Sequence, residues 1–241
     1  MADLARDLYE EMARFPIISP HGHVDAELLA NNENWSDAVE LLIRPDHYIT
    51  RMLYSQGVPY ESLQKPPLEV WKLFCANWKL YRGTPSSLWL REILDSLFDI
   101  DDLSELKPEL SFSKIKERLA SPEYRPLELF KRFNIEVLAT TDATNDDLIS
   151  HKKISNMGLS GRVIPTFRPD DITDPARSDF RVSLTKLGAT TFKELLAKLR
   201  ERRAYFKSHG ATATDHGIKS PQTLKYSESE KEQLFKDVLA G

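Results

Sequence analysis

Apolar residues stand at helical spacing from the start of the chain, with Leu4, Leu8 and Met12 at i, i+4 and i+8, and Pro16 closes that pattern. The short apolar run Ile17-Ile18, with Ser19, then predicts a strand that leads into His21-Gly22-His23. From Asp25 to about Pro126 the texture is helical throughout. NWSDAVELLI, PDHYITRMLYSQGV, PPLEVWKLFCANWKLYRG, SSLWLREILDSLF and SFSKIKERLAS follow one another, separated by Pro, Gly, Asp and Ser. After that the pattern alternates. Strands are predicted over IEVLATTD, GRVIPTF and ATATD, and helices over PLELFKRF, NDDLISHKKI and TFKELLAKLRERRAYFKSHG. Short apolar runs alternating with helices are the mark of βα units around a parallel sheet. The pattern therefore predicts three regions: an N-terminal helix and first strand over 1–24, a helical insertion over 25–126, and βα units over 127–241.

Two architectures fit such units, an α/β barrel and a doubly wound sheet. No glycine-rich phosphate loop follows any of the strands, and the chain has only 9 glycines, which lowers the dinucleotide-binding option. The polar residues favour the barrel. Ile17-Ile18 leads to His21 and His23, Val137-Leu138 to Thr140, Thr141 and Asp142, Val163-Ile164 to Thr166 and Arg168, and the last strand to Asp215-His216. In a parallel barrel these carboxyl ends form the rim of the active site.

Composition narrows the classes further. With 241 residues, 41% apolar and 29% charged, the chain is ordinary globular material and neither disordered nor membrane-spanning. The formal charge is −4 and the basic residues are scattered, so nucleic acid is not an expected partner. The single cysteine, Cys75, cannot form an intrachain disulfide; with the apolar VWKLFCANW around it, it reads as a buried thiol in a reducing, cytoplasmic protein.

Two histidines at i and i+2 on a strand share a face, so His21 and His23 can both reach one cation. The bland alternative is a solvated turn. Asp46-His47-Tyr48 reads either as a helix start with Asp46 as N-cap or as a pair of site residues on a capped first turn. Arg168 is either a surface arginine before a proline or a bidentate carboxylate clamp. Asp215 and His216 form either a plain turn or part of a site. Asp142 could orient a group of the site or cap the NDDLISH helix with Asn145, the structural role being the expectation; His151 and His209 are expected to be solvated, His209 near a helix C-terminus.

Six segments, SPHGHVDAELL, RPDHYITRMLYSQGV, FNIEVLATTDATNDDL, VIPTFRPD, HGATATDHGI and LFKDVLAG, together resemble, in the same order, the uronate (glucuronate) isomerase family of the amidohydrolase superfamily. The resemblance implies a metal-dependent-hydrolase-like (β/α)8 TIM barrel with a helical insertion after the first strand. It also implies interconversion of D-glucuronate with D-fructuronate and of D-galacturonate with D-tagaturonate, a sugar-acid substrate, and a divalent metal, with Zn2+ the expected ion. Carried over by motif, His21 and His23 become the metal histidines, His47, Tyr48 and Asp215 the catalytic groups, and Arg168 the substrate-carboxylate residue. No membrane partner is expected, and homo-oligomerisation stays open.

A (β/α)8 barrel takes about 250 residues before insertions, whereas only about four strands are countable here. The barrel is therefore expected to be incomplete, and the family's further metal aspartate, with an arginine two positions on, is expected beyond Gly241. Two other readings stay open: a non-catalytic barrel remnant or interaction protein, and a metal-dependent hydrolase of the same superfamily, the latter disfavoured by the DHY, PTFRPD and DHG motifs.

Overall fold

The computed structural model describes residues 2–217, 220 and 223–240. Helix α1 (Ala2–Met12) precedes β1 (Ile17–Ser19) and α2 (Ala26–Asn31). Five helices follow: α3 (Ala38–Leu42), α4 (His47–Ser55), α5 (Pro67–Ala76), α6 (Pro85–Phe98) and α7 (Pro108–Leu119). The alternating part holds α8 (Pro126–Arg132), β2 (Ile135–Ala139), β3 (Asp142–Ala143), α9 (Ile149–Ser155), β4 (Arg162–Ile164), β5 (Phe167–Arg168), α10 (Asp170–Thr173), α11 (Phe180–Leu187), α12 (Phe192–Ser208) and α13 (Glu228–Ala240). Contacts divide the chain into two compact units, one of residues 1–31 and 130–241 and one of residues 32–129. Among the described residues, no helix is long and apolar enough to cross a membrane.

The unit of residues 32–129 is helical around an aromatic core of Trp71, Phe74, Trp78, Tyr81 and Phe98. Its buried polar atoms are paired, as burial requires. Trp71 Nε1 donates to Ser111 Oγ at 2.9 Å, Tyr81 OH to the Ile49 carbonyl at 3.0 Å, and Tyr124 OH to the Leu97 carbonyl at 2.6 Å. Asp37, Asp46 and Thr84 cap α3, α4 and α6 with side-chain oxygens on free backbone N–H groups. Cys75 is half-buried, and desolvation pushes its thiol up to about 12, so it stays protonated and inert.

The other unit is α/β. Its three-stranded parallel sheet has the order β1-β2-β4, with Ile18 opposite Val137 and Val137 opposite Arg162. A second parallel pair, β3-β5, continues the strand paths of β2 and β4 beyond their ends. Central β2 buries Val137, Leu138 and Ala139, whereas Ile17 and Ile18 on edge strand β1 are exposed, as are Leu4, Leu8 and Met12 of α1. Around the strands, Leu148, Phe167 and Phe206 form one apolar cluster. Ile172, Phe180, Leu184, Leu195 and Phe235 form another. Helix α12 opens on a capping box between Thr191 and Glu194, and Glu232 of α13 accepts from its Phe192 and Lys193 N–H groups.

Four expectations change here. ATATD does not form a strand; it touches β5 through one bridge, Thr214 to Phe167, because only the Ala213 carbonyl and the Asp215 N–H reach that backbone. The helix expected over NDDLISHKKI begins only at Ile149. Asp142 and Asn145 do not cap it: carboxylates of Asp146 and Asp147 accept from the Leu148 and Ile149 N–H groups, while Asn145 donates to the Ser183 carbonyl. His151 is not solvated but 5% exposed, because α9 turns Leu148, His151 and Ile154 inward together. Asp142 is buried beside it.

These two residues share a network through Thr140. Thr140 Oγ1 lies 2.7 Å from Asp142 Oδ2 and 2.8 Å from His151 Nε2, and the Thr166 N–H donates to the same Asp142 oxygen at 3.1 Å. His151 Nδ1 is buried without a hydrogen bond. An orphaned lone pair costs less than an orphaned N–H, so the proton belongs on Nε2, donated to Thr140, whose hydroxyl donates to Asp142. Burial holds His151 below its ordinary 6.5, against the opposing charges of Asp142 and Asp146. Burial also raises Asp142 above its ordinary 3.8, against the Thr140 hydrogen bond and the His151 charge.

Two predictions follow from this packing. A Cβ at Gly161 would overlap the Ile135 carbonyl oxygen and lie 2.7 Å from that of Glu136, so Gly161→Ala should cost at least roughly 2 kcal/mol in denaturant unfolding; an unchanged midpoint would refute the close approach. Because His151 is neutral when folded, its stabilising contribution is complete above pH 6.5 and is lost as pH falls below about 6.5, where the unfolded chain takes up the extra proton. The slope is at most about 1.4 kcal/mol per pH unit, and Asp142 acts in the opposite sense at more acid pH. His151→Gln should flatten the dependence of Tm on pH between 6.5 and 5, and an unchanged slope would exclude His151 as its source.

Candidate active site

The parallel pairing delivers the carboxyl ends of β1, β2 and β4 to one side of the sheet, and the site grows from the turns that follow. His21 and His23 lie just past β1, in the turn rather than in the strand itself. That turn is pinned by Thr141, whose Oγ1 donates to the Gly22 carbonyl at 2.9 Å. Gly22 fits because a Cβ there would stand 3.2 Å from the Ala139 carbonyl oxygen. The imidazoles meet edge to face at 86°, with the two Nε2 atoms 3.3 Å apart.

That spacing has chemical meaning. Two nitrogens bound to one tetrahedral cation at about 2.0–2.1 Å stand about 3.3–3.4 Å apart. The pair therefore fits as two ligands of one cation. Among the described residues, no group of three or more His, Cys, Asp and Glu side chains converges as a metal site.

Behind the histidines sits a carboxylate. Asp215 Oδ2 lies 3.3 Å from His21 Nδ1 and 3.6 Å from Arg168 NH1, yet it is buried and makes no well-aligned hydrogen bond. A carboxylate on the far ring nitrogen of a ligating histidine is the common way to fix ring orientation and tautomer. Arg168, at the end of β5, donates its Nε–H to Asp170 Oδ2 at 2.7 Å. Asp170 also accepts the Gly217 N–H at 2.8 Å, and His216 Nδ1 lies 3.7 Å from its other oxygen. Burial would raise the Asp170 carboxyl, but the bonds from Arg168 and Gly217 and the charges of Arg168 and His216 outweigh it and hold the group below its ordinary 3.8.

A cavity of about 510 Å³ opens at these strand ends, lined by His23, Asp25, Thr141, Asp142, Arg168, Asp170 and their neighbours. Its volume suits a small polar ligand, and its walls carry both carboxylates and guanidinium groups.

The structure thus brings together four of the residues singled out in the sequence, His21, His23, Arg168 and Asp215. His47 and Tyr48 lie in the helical unit, on the first turn of α4, where Asp46 Oδ1 accepts from the Tyr48 and Ile49 N–H groups. The capping alternative for that motif holds: Asp46 caps α4, and the rings of His47 and Tyr48 on its first turn lie 4.2 Å apart. Tyr48 is half exposed and lines a mostly apolar cavity of that unit with Met52 and Trp89. His209 ends α12, its Nδ1 2.8 Å from the Tyr205 carbonyl.

Sequence reasoning assigned Asp170 no role of its own and did not join Thr140 to His151. A signal existed for each: a carboxylate two residues after a strand-end arginine can reach back to the guanidinium, and Leu148, His151 and Ile154 recur at a helical spacing that marks a buried face.

Comparison with known proteins places the chain in a family. The family model described as glucuronate isomerase matches residues 1–241. The uronate isomerase of Phenylobacterium zucineum (strain HLK1) is 43% identical over 255 residues, covering 99% of this chain and 53% of the relative. That of Rhizobium meliloti (strain 1021) is 43% identical, covering 99% and 54%. The crystal structure of glucuronate isomerase from Caulobacter crescentus superposes with a TM-score of 0.91 at 37% identity, over 98% of this chain and 53% of that one. The uronate isomerase structure from Thermotoga maritima gives 0.88 at 27% identity, covering 98% and 54%. The chain spans about half the length of these relatives. With a family model matched along all 241 residues, the chain belongs to the glucuronate isomerase family.

Proposed function

We propose that this chain acts in aldose–ketose isomerisation of hexuronates, interconverting D-glucuronate with D-fructuronate and D-galacturonate with D-tagaturonate. The observation that carries the reading is the meeting of His21, His23, Asp215 and Arg168 at one set of parallel strand ends, beside a cavity of about 510 Å³. On the same reading the strands belong to a (β/α)8 barrel with the helical unit inserted after the first strand, in a cytoplasmic protein.

The reaction moves a hydrogen between C1 and C2 and shifts the carbonyl. A base removes the C2 proton, an enediolate forms, and an acid returns a proton at C1. The chain's own groups divide this work. Arg168 has its Nε–H committed to Asp170, which leaves the NH1/NH2 edge to take the substrate carboxylate in a bidentate grip. That grip fixes where C1 and C2 lie, which is the positioning part of catalysis. Asp215 orients His21 through Nδ1 and presents a carboxylate to a substrate hydroxyl. His47 and Tyr48, carried over from the family motif, are the further groups assigned to proton transfer.

His21 and His23 would hold a divalent cation, Zn2+ in our reading, through their converging Nε2 atoms. When bound, such a cation supplies Lewis-acid polarisation of a substrate oxygen.

The test is conversion of D-glucuronate to D-fructuronate by the purified protein, with elemental analysis of bound metal. A folded protein with neither conversion nor divalent metal would overturn the reading. His21→Ala should lower both metal content and conversion, and unchanged metal occupancy would remove His21 from the ligand set. Arg168→Lys keeps the charge but loses the planar fork, so KM for uronates should rise roughly tenfold with a smaller change in kcat; an unaltered KM would sink the clamp.

A further inference from the structure

We propose that Asp170 is the positioning residue of this site: its Oδ2 takes the Arg168 Nε–H and the Gly217 N–H together, aiming the guanidinium edge at the substrate carboxylate and keeping Arg168 off Asp215. The proposal rests on the carboxylate role of Arg168 given above. It concerns a residue that the motif reading left without a role.

Three observations lead to it. First, Arg168 stands between two carboxylates and is bonded to only one. Its Nε is 2.7 Å from Asp170, while NH1 is 3.6 Å from Asp215 Oδ2, too far for a hydrogen bond. Second, the bonded carboxylate is the better buried of the two. The Asp170 side chain is 10% exposed against 27% for Asp215, so its two N–H contacts are poorly replaced by water. Third, the backbone is fitted to the pair. A Cβ at Gly217 would stand 3.1 Å from Asp170 Oδ2, tight against the carboxylate, and would touch Arg168 NH2 at 3.4 Å.

The geometry has a consequence for Asp215. Without Asp170, the free Nε–H of Arg168 would complete a side-on pair with the nearest remaining carboxylate, which is Asp215. That would draw Asp215 from His21 Nδ1 and turn the guanidinium edge away from the substrate. One carboxylate therefore serves two ends: it orients the arginine, and it leaves Asp215 to the histidine.

The test combines kinetics with a direct view of the guanidinium, on the active enzyme. Asp170→Ala should raise KM for uronates roughly tenfold, with kcat reduced less. Asp170→Asn, which keeps an acceptor oxygen, should recover much of that loss. In a double-mutant cycle, Arg168→Ala with Asp170→Ala should show the KM of Arg168→Ala alone, because Asp170 acts through the arginine. A structural role would instead multiply the two effects, and that result would overturn the proposal. The 15N-edited NMR signal of the Arg168 Nε–H, assigned by its loss in Arg168→Ala, should be protected from exchange in the parent and exchange freely in Asp170→Ala. Unchanged protection there also overturns it. If Arg168→Ala leaves KM untouched, the carboxylate role of Arg168 fails, while the Nε–H signal still decides whether Asp170 holds the side chain.

Discussion

The site depends first on the parallel register of β2 with its neighbours. With Ile18 beside Val137, and Val137 beside Arg162, three strands end on the same side of the sheet. Each then hands its polar residues to the same space. An antiparallel β1 would send His21 and His23 to the opposite end, away from Arg168 and Asp215. The sheet is small, yet its direction decides that the chemistry can assemble at all.

The turns convert that shared direction into fixed geometry. Thr141 holds the Gly22 carbonyl, and Asp170 holds both Arg168 and the Gly217 N–H. Thr141 after β2 restrains the turn that follows β1, and Asp170 after β5 restrains the segment that follows Thr214. The cavity wall is therefore a set of cross-links among loops, and its stiffness does not come from long strands, since no strand exceeds five residues among those described. Thr140, Asp142 and His151 form a third cross-link beneath it, satisfied on all but one atom.

Much of this was legible from residue order. Helices announce themselves by apolar spacing and by Pro, Asp and Thr at their starts, which is why α1, α4, α6 and α12 fall close to where the pattern puts them. The clustering of polar residues after each apolar run was equally visible. The last strand was not, because ATATD has the alternation of a strand but only two backbone contacts with β5. The burial of His151 was missed because a histidine in a polar-looking segment reads as solvated unless the helix phase is followed through Leu148 and Ile154. Asp170 was missed because its partner lies two positions away, a distance at which carboxylates are usually ordinary turn residues. Roles carried by motif alone, those of His47 and Tyr48, had no such local physics to make them visible.

The tight seat of Gly22 has a further consequence. The residue between the two imidazoles faces the Ala139 carbonyl, where even a methyl group would crowd the backbone of the central strand. A side chain at this position would have to push that carbonyl aside by a few tenths of an ångström. The spacing of the two imidazoles is thereby tied to the backbone of the central strand, so a shift of β2 at Ala139 would be felt directly between His21 and His23.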